Sequence, residues 1–446
     1  MKLDKLGYAV VALAMLAGCS DNDPDPVDNP DGPQGSGEMT EMSPEESKEF
    51  LTATSTEFLN LFNPSDQSEA IEVAAYFQKV YGDFDMPQQF RDLEEVRYAS
   101  PAKYFRAIHR AASGDVDALT RAAYTYTYHI NFDRFAGKYE PVSSREEWVK
   151  TGDSKDIIFV FTDGNNRQCE LKASKGAGTS DFDYSYTDEG DGYYDDETYN
   201  YYLSIPKEIK VTLTVGGKVL ADSKVVSDIN VNGHSLRMET TATLCNLTVN
   251  AAVNGTDIKV QANMEAYVSG KKALSSYATV NGHDLCNKNK IEDLIDRDDA
   301  DYMLSSMLTD GECGGDVLGK VQVYGQMKYY KGMVDDLDNY WGSYNYGSKN
   351  EAKIACEQVC DKLNANVKTQ MRYNGTATDQ ATLVFVPYLY DWSYDWEYAL
   401  EANLLFPDGT TYSVDSYFDK FTTVTNKWEA LIDAYDRAWS NALPRR

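Results

Sequence analysis

Apolar residues in the first folded part of the chain recur every three or four positions, which is the period of an amphipathic helix. Ser43 and Glu46 frame the start of this pattern as a capping box, in which each side chain can bond the backbone N–H of the other residue. A second helix is predicted over residues 66–81, and a third opens at Pro101. The pattern therefore predicts a helical region over residues 43–121.

The spacing changes at Tyr124, where large side chains begin to occupy every second position, the period of a β-strand. The same alternation runs through residues 258–268, with apolar residues on one face and polar residues on the other. Residues 215–236 and 268–285 both contain Val-Asn-Gly-His, so a hairpin unit has been duplicated or reused. Three Asn-Gly pairs, which favour hairpin turns, lie at positions 232, 254 and 281. An antiparallel meander with a repeated hairpin is expected.

The C-terminal third mixes predicted helices with predicted strands. Helices are expected over residues 289–308 and 351–363, and strands over 319–331, 367–373, 381–390 and 398–406. The last helix, over 416–440, carries apolar side chains three or four apart, so we expect it to pack on a sheet or on the N-terminal helices. The predicted fold class is α+β: an N-terminal helical region, a central antiparallel β-meander with a hairpin repeat, and a C-terminal α+β part that ends in a long amphipathic helix.

These changes in pattern divide the chain into five segments. They are a lipoprotein signal peptide (1–18), a disordered acidic tether (19–42), a helical region (43–121), an antiparallel β region (122–286) and a C-terminal α+β region (287–446). The tether is rich in Pro, Gly and Asp, a composition that buries too little apolar area to order itself. The last two segments can share one continuous sheet and then form a single domain.

The N-terminus has the features of a bacterial lipoprotein signal. Lys2 and Lys5 flank the start of an apolar run over residues 6–16, which is too short to span a bilayer as a stable helix. Leu16-Ala17-Gly18-Cys19 then matches a lipobox, so Cys19 is predicted to become the lipidated first residue of the mature protein. Acyl chains on Cys19 would anchor the protein in membrane lipid.

Ser20-Asp21-Asn22-Asp23 follows the lipobox and is itself followed by prolines and further aspartates. This segment resembles the export signal of surface-exposed lipoproteins of Bacteroidota. The resemblance covers about the first 25 residues. It implies a lipid-anchored protein of the outer membrane that is displayed on the cell surface. The alternative is a generic tether with the protein facing the periplasm.

The charge of the chain argues against nucleic acid as a partner, and its motifs indicate no cofactor. The chain has 71 acidic and 42 basic residues, which argues against nucleic acid, because phosphate binding needs clusters of Lys and Arg. Residues 21–46 hold nine acids and residues 181–197 hold eight, with no base in either, so the folded body is only mildly acidic. Gly314, Gly319 and Lys320 resemble a phosphate loop, but Val321 offers no hydroxyl for Mg²⁺. No cofactor is therefore expected.

The cysteines leave two interpretations open. Besides Cys19, six lie at positions 169, 245, 286, 313, 356 and 360. An even number outside the cytoplasm favours disulfides, and Cys286 could pair with Cys245 or Cys313. Cys356 and Cys360 are four residues apart on a predicted helix, where a disulfide is strained, so they fit buried thiols better.

Candidate metal ligands are sparse. His234 and His283 occupy matching positions of the repeat. We interpret them as polar residues that flank a turn rather than as metal ligands. The aromatic–acidic tract over residues 181–197 is expected to be a solvated loop. Its weak calcium candidates are Asp188, Asp191 and Asp195. No metal site is therefore predicted.

A second aromatic–acidic tract runs over residues 388–398, with aromatic residues at six consecutive even positions. As one strand, it would place an aromatic face opposite the acids, and aromatic rings with flanking carboxylates suit sugar rings. The candidate ligand-binding residues are therefore Trp392, Tyr394, Trp396, Asp391, Asp395 and Glu397. In the alternative, the aromatics are core, the acids form a wet face, and the chain turns near Ser393.

These features predict a surface-tethered, non-enzymatic binding lipoprotein of the outer membrane. Its preferred ligand is a glycan, and its second candidate partner is an envelope protein. Two alternatives stay open: a glycan hydrolase that uses carboxylates of the 391–397 tract, and a structural or assembly subunit of an outer-membrane complex. The missing catalytic motifs favour binding over catalysis.

Overall fold

The computed structural model describes residues 41–87, 90, 124–188, 197–230, 233–287, 306–341, 348–392, 395–418 and 421–442. The predictions for the signal peptide, for Cys19 and for most of the tether concern residues outside this set. The helix expected to open at Pro101 and most of the helix expected over 289–308 also lie outside it.

The helices of the described part lie mainly near the two ends of the chain. They are α1 (Pro44–Leu59), α2 (Ser68–Tyr81), α3 (Phe132–Phe135), α4 (Tyr330–Trp341), α5 (Lys349–Asn366), α6 (Val414–Phe418) and α7 (Thr422–Ala442). The capping box predicted for α1 is present, since the Glu46 amide donates to Ser43 Oγ at 3.3 Å and the Ser43 amide donates to Glu46 Oε2 at 2.9 Å.

Strands make up most of the remaining described residues. They are β1 (Tyr124–Asn131), β2 (Gly137–Val142), β3 (Glu147–Gly152), β4 (Ile157–Thr162), β5 (Gln168–Lys175), β6 (Thr179–Asp188), β7 (Glu197–Pro206), β8 (Glu208–Val215), β9 (Lys218–Asn230), β10 (Ser235–Leu244), β11 (Leu247–Thr256), β12 (Lys259–Val268), β13 (Lys271–Gly282), β14 (Leu308–Val317), β15 (Val321–Lys328), β16 (Val367–Tyr373), β17 (Asp379–Trp392), β18 (Asp395–Leu405) and β19 (Thr411–Ser413).

Among the described residues, sixteen strands form one sheet in the order β19-β18-β17-β16-β15-β14-β13-β12-β11-β10-β9-β8-β5-β4-β2-β3. From β8 to β19 the chain meanders, and each strand pairs antiparallel with the next. A three-stranded sheet, β1-β7-β6, stands apart from this sheet. The structure is thus a mostly β form of the α+β class.

Two buried clusters occupy opposite parts of the large sheet. The C-terminal core joins Leu51 of α1, helices α4 and α5, and the inner faces of β15–β18. The N-terminal core packs Val73 and Tyr81 of α2 against Trp148 and Phe161. Burial of these aromatic and aliphatic side chains away from water is the main driving force for the folding of the two ends of the sheet.

Helices α1 and α2 run across the hairpin ends of the sheet from β16 back to β5. Their polar contacts with those ends are Ser47 with Tyr373, Glu57 with Lys320, Gln67 with Asn246, and Glu69 with Lys218 and Arg167. Helix α7 packs on α1 and α2, and its Tyr435 hydroxyl donates to Gln67 Oε1 at 2.7 Å. Of the two packing surfaces predicted for the last helix, a sheet or the N-terminal helices, the structure shows the second, although no residue of α7 is buried.

The structure corrects two details of the predicted meander. The central region is not wholly antiparallel, because β1 pairs parallel with β7 and β2 pairs parallel with β4. Two of the predicted Asn-Gly turns are also wrong, because Asn254 and Gly255 lie within β11 and Asn281 and Gly282 lie within β13. A Cβ atom at Gly255 would lie 2.7 Å from Cys286 Sγ, so glycine serves close packing there.

Candidate functional site

The 388–398 tract is a hairpin and not the single strand predicted from its alternation. Strands β17 and β18 pair antiparallel, from Thr382 opposite Leu405 to Trp392 opposite Asp395. The chain therefore reverses between positions 392 and 395. This corresponds to the alternative with a turn near Ser393, and the prediction of one continuous aromatic face is wrong.

The pairing register divides the tract between the two faces of the hairpin. Asp391 lies opposite Trp396, whereas Tyr390 lies opposite Glu397. Residues directly opposite each other share a face, and successive residues alternate. Positions 392 and 396, the two tryptophans expected to act together, therefore belong to opposite faces.

One face of the hairpin packs on α5, and we call it the packed face. Its buried members are Leu383, Phe385, Leu400 and Leu404, all part of the C-terminal core. Trp396 extends this row, and Lys349 at the start of α5 places its Nζ 5.9 Å from the Trp396 ring centroid. The Tyr340 hydroxyl of α4 donates to the Tyr398 carbonyl. Trp396 thus belongs to the packing of the hairpin on its helices.

The hairpin extends past its neighbour β16, and beyond that point the side chain of Asn364 in α5 bonds the backbone of β17 in place of a strand. The pairing of β16 with β17 ends at Gln370 opposite Thr382. Beyond that point, Asn364 Nδ2 donates to the Phe385 carbonyl at 2.9 Å, and the Phe385 amide donates to Asn364 Oδ1 at 2.7 Å. Pro387 then follows, which has no N–H to offer at a sheet edge. The projecting hairpin is thereby held and its edge protected.

The other face of the hairpin carries Tyr388, Tyr390 and Glu397, and we call it the open face. Tyr388 is 44 % exposed, and its ring centroid lies 4.8 Å from that of Tyr390 with a 68° interplanar angle. Glu397 is the cross-strand neighbour of Tyr390. Two aromatic rings and a carboxylate therefore stand side by side, an arrangement that suits a ligand with both a CH-rich face and hydroxyl groups.

Tyr388 and Tyr390 are absent from the residues predicted for the site, although both lie in the tract. The alternation itself is the signal that could have found them, because positions 388, 390 and 392 share one face whether or not the chain turns after them. The structure describes only the backbone of Asp391, Trp392 and Asp395, and Tyr394 lies outside the described residues.

The remaining sequence candidates do not converge on a site. Asp188 is the last residue of β6 and pairs with Glu197, while Asp191 and Asp195 lie outside the described residues. His234 Nδ1 lies 2.7 Å from Asp257 Oδ2, whereas His283 Nε2 lies 2.9 Å from the Ser306 carbonyl. Within the described ranges, no group of three or more His, Cys, Asp or Glu could hold a metal ion.

The six described cysteines are free thiols, so the disulfide interpretation is wrong in this structure. Cys169, Cys286, Cys356 and Cys360 are buried. Burial, together with the nearby Asp163 carboxylate, raises the pKa of Cys169 to about 11. A thiol with so high a pKa behaves as a small apolar group at neutral pH, which agrees with the alternative interpretation.

Comparison with known proteins identifies no family. No family model matches the chain, and no curated protein matches it. Among solved structures, the chain is similar to a porin-like protein from Bacteroides vulgatus ATCC 8482, at 10 % identity and a TM-score of 0.15, over 62 % of this chain and 90 % of that one. A likeness this weak carries no argument about fold or function. None of the helices in the described ranges is long and apolar enough to cross a membrane.

Proposed function

We propose that the protein is a lipid-anchored, surface-displayed lipoprotein of the outer membrane that binds carbohydrate without altering it. The observation that carries the carbohydrate assignment is the open face of the β17–β18 hairpin. There, exposed Tyr388 and its neighbour Tyr390 stand beside Glu397. The lipobox at Cys19 and the acidic segment after it support the anchor and the surface address.

The chemistry of the open face matches what a sugar ring presents. The CH groups of a pyranose form an apolar patch that stacks on an aromatic ring, while its hydroxyls donate to carboxylates. A rigid hairpin lowers the entropy that binding must overcome, and Asn364 fixes the backbone at Phe385 just before the open-face tyrosines.

The place where the tether joins the body also supports display. The Met42 amide donates to Gln380 Oε1 at 2.9 Å, and Gln380 is 0 % exposed. Tyr390 lies ten residues farther along β17, about 34 Å at the rise of an extended strand. The tether thus joins the body near the beginning of β17, and the open face lies near the end of the same strand.

A glycan array tests the proposal directly. Wild-type protein and the double variant Tyr388→Ala, Tyr390→Ala are compared with Trp428→Ala, which removes a 50 % exposed aromatic from α7, a helix that packs on α1 and α2. We expect retention on at least one glycan class to fall at least tenfold in the double variant and to stay unchanged in Trp428→Ala. Wild-type retention by a folded double variant would contradict the assignment.

Two further measurements separate this proposal from its alternatives. The register places Asp395 and Glu397 on one face and Asp391 on the other, so a hydrolase would have to use the first two. Release of reducing sugar by the wild type that disappears in Glu397→Gln would replace binding by hydrolysis. Protease treatment of intact cells should cut the protein, and an uncut protein would overturn surface display.

A further inference from the structure

A polar cleft lies between the small sheet and the large one. It has a volume of about 550 Å³ and lies between β6, the β7–β8 junction at Lys207, and strands β9 and β10. The Ile229 amide donates to buried Ser180 Oγ at 3.5 Å, and the Ser227 amide donates to the Lys207 carbonyl at 2.8 Å. One side-chain acceptor and one backbone carbonyl thus tie the walls of the cleft to each other.

The cations at this cleft are already paired with carboxylates. Lys207 Nζ lies 2.6 Å from Asp228 Oδ1, and Arg237 Nε lies 2.6 Å from Glu239 Oε1. Asp228 and Arg237 are direct cross-strand neighbours, and the Ser204 hydroxyl donates to Asp181 Oδ1 at 2.6 Å. Two cations and three carboxylates leave a net charge of −1, which does not favour a phosphate or sulfate group.

These groups nevertheless keep much of their hydrogen-bonding capacity. Arg237 uses only its Nε in bonds to the described residues, which leaves its terminal N–H groups for another partner. Asp181 and Asp228 each use one carboxylate oxygen in the same way. The Ser235 hydroxyl also lines the cleft. The wall therefore offers both donors and acceptors.

We infer that this cleft is a second ligand site, which takes an uncharged, hydroxyl-rich ligand of the size of a small oligosaccharide. A sugar hydroxyl both donates and accepts, so a ring with several of them can satisfy paired Arg and Asp side chains together. The volume falls within the range of small-molecule sites. The inference extends the proposed carbohydrate binding to a site that shares no residue with the hairpin.

Ligand-observed NMR titration with maltotriose, cellotriose and mannotriose tests the inference. Arg237→Ala and Asp228→Asn should each weaken binding of at least one of these probes by tenfold or more. The control Lys224→Ala removes a lysine of β9 outside the cleft, which is ion-paired with Glu208 at 2.9 Å, and should leave binding unchanged. Thermal unfolding of each variant confirms that it folds, and Ser235→Trp, which fills the cleft without removing a charge, repeats the test independently.

The outcomes distinguish the cleft from the hairpin. Binding that survives Tyr388→Ala, Tyr390→Ala and is lost in the cleft variants supports the second site even if the hairpin proposal fails. Wild-type affinity in the folded cleft variants overturns the inference, as does the absence of saturable binding of all three trisaccharides. Preferential binding of trigalacturonic acid or inorganic sulfate, lost in Arg237→Ala, would make the cleft an anion site and overturn it too.

Discussion

The two faces of the β17–β18 hairpin arise from the same alternating sequence, but one is buried and the other is exposed. The packed face lies against α5 and contributes Phe385 and Leu400 to the C-terminal core. The open face exposes Tyr388 beside Tyr390. Because the chain turns, the alternation places aromatic residues on both faces. The packing of α5 then decides which of the two faces is buried. Stability should therefore depend on the packed face and binding on the open face.

The largest effect is expected from the packed face. Phe385 is 4 % exposed, so Phe385→Ala should lower the free energy of unfolding by about 3–5 kcal/mol, through lost burial and the cavity left behind. The matched control is Val384→Ala at the adjacent position of the other face, with an expected loss of about 1 kcal/mol or less. Urea unfolding measures both. Equal losses in the two variants would remove the difference between the faces.

The next effect concerns the support of the hairpin edge. Asn364→Ala leaves the amide and the carbonyl of Phe385 without their partner, which should lower the free energy of unfolding by about 2–4 kcal/mol. Asn366→Ala is the control, because within the described residues its side chain bonds only the exposed Lys362 carbonyl, at 2.9 Å. Hydrogen exchange should also quicken at Phe385 in the first variant alone. An unchanged exchange rate there would show that Asn364 does not hold the hairpin.

A smaller effect is expected where Trp396 meets α5. Lys349→Met removes the cation near the Trp396 ring and should lower the free energy of unfolding by about 0.5–1 kcal/mol. Lys353→Met removes a surface ion pair with Glu357 on the same helix and should have an effect of about 0.3–0.5 kcal/mol. Neither change should alter glycan retention. Loss of retention in Lys349→Met alone would assign Trp396 to the ligand site after all.

The smallest effect on stability is expected at the open face. Tyr388→Phe keeps the ring and removes only an exposed hydroxyl, so the free energy of unfolding should change by about 0.5 kcal/mol or less. Because stacking requires the ring, glycan retention should stay within about threefold of wild type. Array retention and thermal unfolding measure the two quantities. A tenfold loss of retention would mean that the hydroxyl, and not the ring, recognises the ligand.

Sequence patterns predicted the helix and strand types well where the apolar period was strong. The capping box at Ser43 and Glu46 forms, and the last helix packs on the N-terminal helices. Strand β14 was not predicted, because its glycines have no side chain to show an alternation. Its sheet neighbour Tyr277 supplies the missing bulk, since a Cβ atom at Gly314 would lie 2.6 Å from the Tyr277 ring.

The candidate site was predicted in its place along the chain but not in its geometry. Alternation alone fits one strand or two strands joined by a turn, and a turn changes which residues share a face. Trp392 and Trp396 therefore lie at positions on opposite faces. Tyr388 and Tyr390, and not Trp396, share the face of position 392. The packing of α5 on one face depends on contacts far apart in the sequence, such as Asn364 with Phe385, which no local pattern contains.

The central claim, that the open face serves binding and not folding, is tested most directly by measuring both quantities in one protein. In Tyr388→Ala, Tyr390→Ala, the free energy of unfolding should fall by about 1–2.5 kcal/mol, from the lost aromatic pair and the area that the two partly exposed rings bury. Glycan retention by the same preparation should fall at least tenfold. A folded double variant that retains glycans like the wild type would contradict the account, and so would a loss of stability as large as that of Phe385→Ala.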